Sequence, residues 1–372
     1  MNRILVQTVL LLGVLSTSFA ARLAVSGMTL TYGGKQVYLN GENIPWNNYG
    51  YDFGNGVYDN TIEQWMQDIG SAGGNSVRMW VHVEGQNTPS FDGRGMVTAC
   101  DNTGDFLNDV VQFLDSAQQS NVLVMFTVWN GAVMENQPYI DMVMDDNKIQ
   151  SYLDNCLTDW VNAVKGHPAL GSWEPINEPE GSVQITSDSN PCYDTTIIGQ
   201  SGAGWTGADI PIERFLILIG KMNQLIRELD PQAITTQGSW GQWSETDAFS
   251  DTRNHYTDTC LNGAAGSGSQ IDFYQMHAYD WNGEWSPNAP FTVKASDYKV
   301  DKPILLGEYA GVCAAGTSLE DLNIYAYENG YVGGFAWCWL TGTCSDSRQE
   351  QRQALGALSG RTDYGTVDFI VG

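Results

Sequence analysis

The sequence predicts one α/β domain, a (β/α)8 TIM barrel with an N-terminal β-hairpin plugging its floor. Three observations point there. Eight short β-rich runs alternate with longer stretches whose apolar residues recur at helical spacing. That is the pattern of a parallel sheet covered on both sides. Several runs end in clusters of polar and aromatic residues, as barrel strands do at the face that carries function. The first run is followed by Pro45-Trp46-Asn47-Asn48-Tyr49. An open nucleotide-binding sheet would carry a glycine-rich phosphate loop there, so the closed barrel is favoured over a doubly wound sheet.

In chain order, residues 24–36 read as the hairpin, turning at Gly33-Gly34. The eight strands fall at 37–44, 76–83, 122–128, 170–176, 233–237, 271–278, 303–308 and 333–340. Helical faces lie between them: Ile62, Trp65, Met66 and Ile69; Phe106, Val110, Phe113 and Leu114; then Leu153, Leu157, Trp160, Val161 and Val164. Phe215, Ile219, Met222 and Ile226 make a fourth face, and Leu319, Leu322 and Tyr325 a shorter fifth. No Pro/Ser/Thr-rich linker or charge block divides the chain, and the glycine patch at 263–269 is only loop-sized. Residues 21–372 are therefore expected to form one domain large enough for a sizeable core.

Residues 1–20 read as an export signal. Arg3 supplies a positive charge, residues 4–14 are mostly apolar, and Ser18-Phe19-Ala20 is a small-x-small cleavage site. Gln7 and Thr8 interrupt the apolar run, which falls short of the ~20 residues of a membrane span. A secreted, extracellular protein is expected, with no membrane partner. Seven cysteines are then free to form disulfides, and their odd number leaves at least one unpaired. Loop placement suggests Cys100–Cys156, Cys192–Cys260 and Cys313–Cys344. Cys338 would stay free and face outward under a helix.

A formal charge of −26 argues against nucleic acid and acidic lipid as partners. The four histidines are scattered without ligand spacing, and no C-x-x-C pair occurs, so no metal and no cofactor are expected. Thirteen tryptophans and seventeen tyrosines are more telling. Aromatic faces suit the C–H faces of sugar rings, although many such residues simply fill cores.

The strand ends hold the chemistry. Strand two ends around Arg78, Trp80 and His82, and strand four in Trp173-Glu174-Pro175-Ile176-Asn177-Glu178-Pro179. Strand six ends in His277-Ala278-Tyr279, strand seven in Gly307-Glu308-Tyr309, and strand eight in Trp337-Cys338-Trp339. Strands four and seven face each other across a barrel mouth. Glutamates at both tips can converge on one bond, as retaining glycoside cleavage requires.

Asn177-Glu178-Pro179 with Glu308 resembles the retaining glycosidases of the large barrel clan with catalytic strands four and seven. Arg78, His277-x-Tyr279 and Trp337 resemble further marks of glycoside hydrolase family 5, over about residues 38–340. The resemblance implies Glu178 as acid/base and Glu308 as nucleophile. It makes Asn177 a donor to the substrate 2-hydroxyl, Arg78 and Tyr279 the partners holding Glu308 ionised, and His277 the strand-six histidine. Trp337 is favoured over Trp339 as the platform beneath the reacting sugar.

Trp46, Trp129, Trp240 and Trp281, just past strand ends, are candidate subsite walls that could equally be packing. With Arg78, Asn177, His277, Tyr279 and Trp337 they complete the expected substrate-binding set. Trp173 reads as barrel core, and strand alternation is expected to point Glu174 away from the site. Many family members carry a histidine near the end of strand three. Phe126-Thr127-Val128-Trp129-Asn130 has none, so the group at that corner is left open.

Within the family the chain is most similar to the endo-β-1,4-mannanases of invertebrate animals. The supporting stretches are Arg78-Met79-Trp80-Val81-His82-Val83-Glu84-Gly85, Val128-Trp129-Asn130-Gly131 and Gly307-Glu308-Tyr309-Ala310-Gly311. The implied partner is a neutral β-linked polysaccharide, mannan or glucomannan, cut by a monomer. A cellulase on the same scaffold is the nearest alternative. A non-catalytic sugar-binding barrel is the alternative of another class.

Overall fold

A run such as Ser76–Val83 is buried along its whole length, on both faces of the chain, which only a sheet covered inside and outside allows. The computed structural model describes residues 21–372, and the expected export signal lies outside the described residues. Eight parallel strands close into a barrel in which sequence neighbours are spatial neighbours. Strand one is Leu39–Ile44, two Ser76–Val83, three Leu123–Asn130 and four Leu170–Asn177. Strand five is Gly238–Ser239, six Tyr274–Ala278, seven Ile304–Tyr309 and eight Gly333–Ala336.

The ladder register sets the site. Asn130 pairs with Asn177 across strands three and four, and Gly238 pairs with Asn177 across four and five. His277 pairs with Glu308 across six and seven. Asn130 and Asn177 thus stand side by side by strand pairing, as do His277 and Glu308, while Gly238 joins the first pair to Gln275, two residues before His277.

Helices cover the outside: α1 Thr61–Ser71, α2 Phe106–Gln119, α3 Gln137–Met144, α4 Asp146–Tyr152 and α5 Thr158–Val164. A π-helical turn, Leu153–Leu157, joins the last two. After strand four come the single turn α6 Thr196–Gly199 and the long α7 Ile212–Leu229, then α8 Asp258–Ala265, α9 Leu319–Glu328 and α10 Arg348–Leu358. The apolar stripes face inward. Ile62, Met66 and Ile69 of α1 are buried, as are Phe215, Ile219, Met222 and Ile226 of α7. Trp173 points outward from strand four onto Trp160 of α5 and Phe126, with ring centroids 4.9 and 5.7 Å away.

Several elements differ from expectation for identifiable reasons. Strand five is shorter and later than 233–237; there the backbone keeps only a bridge between Thr235 and Trp173, with side-chain bonds beside it. Asp272 accepts the Thr235 N–H and the Thr236 hydroxyl bonds the Phe273 carbonyl. Strand eight stops at Ala336 instead of continuing through Trp339. Between strands six and seven there is a 3-10 turn, Ala295–Tyr298, in place of a helix.

The expected hairpin is a three-stranded antiparallel sheet, Leu23–Ser26, Thr29–Tyr32 and Lys35–Val37. Arg22 bonds Asp230 at 2.9 Å and the Tyr32 hydroxyl bonds the Pro168 carbonyl at 3.2 Å. Both partners precede barrel strands, so this sheet lies against the floor, opposite the site. Among the described residues no helix is long and apolar enough to cross a membrane.

The three expected disulfides are present and Cys338 is free and buried. Their Cα separations of 4.5, 5.3 and 5.4 Å lie in the ordinary range. Cys156 and Cys260 sit in helical turns, not in the expected loops.

Candidate active site

Arg78, in the middle of strand two, is wholly buried inside the barrel. A guanidinium there must find a partner for every N–H, and this one does. Nε and one Nη2 proton form a fork on Glu174 at 2.7 and 2.6 Å. The other Nη2 proton goes to the Asn177 side-chain oxygen at 2.7 Å. Nη1 serves Asn43 at 2.9 Å and Glu308 at 2.6 Å. All five donors are spent. Arg78 is therefore not the substrate contact that the sequence suggested, because no donor is free and no surface is exposed.

Glu174 does not point away from the site, as alternation had led us to expect. It fills the interior directly beneath it. Glu174 and Glu178 are four residues apart, so strict alternation in fact puts both on the same, interior face. Glu178 itself lies past the strand end with left-handed backbone, φ 41°. A bulky residue in that conformation is strained, and such strain clusters where function fixes a side chain. The Glu178 N–H is tied to the Gly238 carbonyl at 2.8 Å, and a 3-10 turn, Pro179–Gly181, follows it.

Glu178 and Glu308 meet over this polar layer. His277 Nδ1 stands 3.6 Å from one Glu308 oxygen. One atom from each of Glu178, His277 and Glu308 lies within 4.8 Å of the other two. The Tyr279 hydroxyl donates to the same Glu308 oxygen that faces His277, Oε2, at 2.9 Å, while Arg78 holds Oε1.

Burial pushes the Glu178 carboxyl up to about 7, with the Glu174 charge adding to the rise and Arg78 opposing it. Burial also raises Glu308, but His277 and Arg78 both pull it back. Burial lowers the His277 imidazole to about 4, which keeps it neutral near pH 7. Tyr279 is raised well above the ordinary phenol range by burial and by Glu308, so it remains a donor. The pair is thus biased toward one protonated and one ionised carboxyl. The same three groups are close enough to share a cation. The Arg78 guanidinium at 2.6 Å from Glu308 already supplies the positive charge and would repel one.

The tryptophans divide into three groups. Trp337 lines a cavity of about 860 Å³ together with Glu178, His277, Tyr279 and Glu308. Trp240 and Trp281 line the same cavity, and Trp281 is 80% exposed at its rim. Trp46 is half-buried and packs edge-on against Trp337, with centroids 6.1 Å apart, and against Trp80 at 5.5 Å. Trp129 is no subsite wall. It is fully buried, stacked on Tyr139 at 4.5 Å and edge-on to Tyr152 at 5.2 Å. Helices α3 and α4, which the sequence reading left unassigned, cover it. Trp339 is also fully buried, beneath Arg348.

Several residues at the site were missed. Asn130 holds the corner left open at strand three, where its side-chain oxygen accepts from Asn177 Nδ2 at 3.2 Å. Its place as the first polar residue after an apolar run was the available signal. Asn43 on strand one ties Arg78 to the Gly307 and Ala336 carbonyls. Trp205, Trp243 and Trp285 join the cavity wall from loops with no periodic signal. Glu180, two residues past Glu178, is buried and accepts from Ser244 and Tyr256 at 2.6 Å and from Ser239 at 2.9 Å.

No family model matches the chain. The mannan endo-1,4-β-mannosidase of Cryptopygus antarcticus is 43% identical over 361 residues, spanning 95% of this chain and 94% of its own. That of Mytilus edulis is 40% identical over 361 residues, spanning 95% of this chain and 96% of its own. The crystal structure of an endo-1,4-β-mannanase from Eisenia fetida superposes with a TM-score of 0.92 at 43% identity, covering 95% of this chain and 100% of that one. Similarity of that extent, along nearly all of both chains, means that this chain belongs to the invertebrate mannan endo-1,4-β-mannosidases of glycoside hydrolase family 5.

Proposed function

We propose that the protein hydrolyses internal β-1,4-mannosidic bonds of mannan or glucomannan with retention, Glu308 acting as nucleophile and Glu178 as acid/base. The observation that carries this reading is the closeness of the two carboxyls, an oxygen of each lying within 4.8 Å of the other. Inverting enzymes hold theirs ~6.5–9.5 Å apart to admit a water, whereas retaining ones need only ~5–5.5 Å.

A Glu308 oxygen attacks the anomeric carbon as the glycosidic C–O bond breaks. The departing oxygen keeps the bonding pair and takes the Glu178 proton. Arg78 and Tyr279 orient Glu308 for this step. Glu178, now ionised, removes a proton from water, which attacks the same carbon and releases Glu308. Aromatic rings flank the pair on both sides. Trp46 and Trp337, backed by the buried Trp80, lie toward strands one and eight, and Trp205, Trp240 and Trp281 toward strands four to six. Sugar platforms on either side of the scissile bond suit cleavage within a chain. Three disulfides support export to an oxidising compartment.

Reducing ends released from mannan, compared with carboxymethylcellulose, test the substrate, and faster release from cellulose would reverse the assignment. Proton NMR in the first minutes, before mutarotation, should show the β-anomer. An α-anomer at first observation would rule out Glu308 as nucleophile.

A further inference from the structure

The proposed mechanism gives Glu174 nothing to do, yet its carboxylate is held by three hydrogen bonds beneath the reacting groups. It is wholly buried. It takes the Arg78 fork at 2.7 and 2.6 Å and the Thr127 hydroxyl at 2.9 Å. Strand five makes room for it, since a Cβ on Gly238 would run into its Oε1. A buried ion pair carries a large desolvation cost and is weak evidence for stability. A pair kept at that cost, with a glycine beside it, invites another explanation.

We propose that Glu174 is a positioning residue that neutralises Arg78 and aims its remaining donors at Glu308 and Asn177. This rests on Glu178 as acid/base and Glu308 as nucleophile.

The charges around Glu174 support this. Arg78 faces it from strand two, Glu178 from the end of its own strand and Glu245 from the loop after strand five. His277 faces it from strand six, and Glu308, from strand seven, shares its Arg78. Glu245 is kept protonated by burial, which raises it well above the ordinary range, and His277 is neutral. Arg78 is thus paired with two carboxyl groups, Glu174 and Glu308, each at 2.6 Å. Without Glu174 the guanidinium has one carboxylate instead of two, and its unbalanced field favours the ionised forms of both Glu178 and Glu308. Each would then lose its proton at lower pH.

The test is the pH dependence of kcat/KM on soluble mannan for the wild type, E174Q and E174D. In E174Q both limbs should move to lower pH, by about one unit. At the pH of the wild-type upper limb, that shift alone lowers activity about fivefold. E174D keeps the charge but is too short for the fork, so its profile should fall in height with both limbs in place. An E174Q profile that only falls in height would overturn the proposal and leave Glu174 a structural residue. If circular dichroism shows E174Q unfolded, E174D decides, because limbs that move with the charge retained also overturn it. E178Q assayed on an activated aryl mannoside separates the underlying reading. An alkaline limb that survives there removes Glu178 as the acid, whatever E174Q does.

Discussion

The Nδ1 of His277 stands 2.7 Å from a carboxyl oxygen of Glu178. One shared proton can therefore serve both groups, and burial decides who holds it. Glu178 is raised to about 7 while His277 is lowered to about 4, so near neutrality the proton resides on the glutamate. If Glu178 is the acid, as proposed, activity should decline as pH rises through about 7, where it loses that proton. It should also decline in acid, where Glu308 gains one. A kcat/KM profile on soluble mannan that stayed flat from about pH 6 to 9 would contradict this.

Replacing Glu178 by Gln should separate substrates by leaving group. Hydrolysis of mannan should fall by two or more orders of magnitude, the usual scale of general-acid catalysis at ~10²–10⁴-fold. The first step on an activated aryl mannoside should fall far less, because its leaving group needs no proton. Burst kinetics would report that step directly. Equal losses on both substrates would count against the assigned role.

Trp129 and Trp281 should behave as opposites. Trp129 is stacked in the core, so Trp129→Ala should cost about 3–5 kcal/mol of stability. Trp281 is 80% exposed, and Trp281→Ala should change stability by less than about 0.5 kcal/mol. It should instead raise KM for mannan about twofold to twelvefold, the worth of one lost ring contact at ~0.5–1.5 kcal/mol. Urea unfolding and steady-state kinetics on the two variants check both halves.

Glu42 predicts a pH-dependent stability unrelated to catalysis. It is wholly buried on strand one and neither oxygen has a hydrogen-bond partner among the described residues. Burial raises its carboxyl well above the ordinary range, Asp346 adds to the rise, and Arg348 opposes it. A carboxyl raised in the folded state contributes stability that is full below its unfolded value of ~4.3. That contribution is lost as pH climbs toward the folded value, at up to about 1.4 kcal/mol per pH unit. Glu42→Gln cannot ionise, so its Tm should decline less between about pH 5 and pH 8 than that of the wild type. Parallel Tm curves would show that Glu42 does not titrate on unfolding.

What the sequence made legible was whatever lies on one strand or one helix. Glu178 and Glu308 stand at strand tips, and their meeting follows from the barrel geometry itself. Contacts spanning several strands were hidden. Arg78 could be named, but its five bonds join strands one, two, four and seven, and no local spacing encodes that. Trp129 and Trp281 looked alike because each follows a strand. What separates them is a helical insertion over the first and open solvent over the second. Helix α10 was missed although Ser347 and Glu350, three residues apart, form a capping box at its start. Its apolar positions are too sparse to raise a periodic signal.

The bare backbone of Gly238 has a consequence for recombining relatives of this barrel. Glu174 occupies the space that a side chain at 238 would fill, so the two positions are inherited as one character. A chimera crossed over between strands four and five takes position 174 from one parent and 238 from the other. It assembles a working interior only when both parents resolved that space in the same way. Crossovers elsewhere in the ring leave this pair together, which makes the strand-four to strand-five junction the least exchangeable seam with respect to this contact.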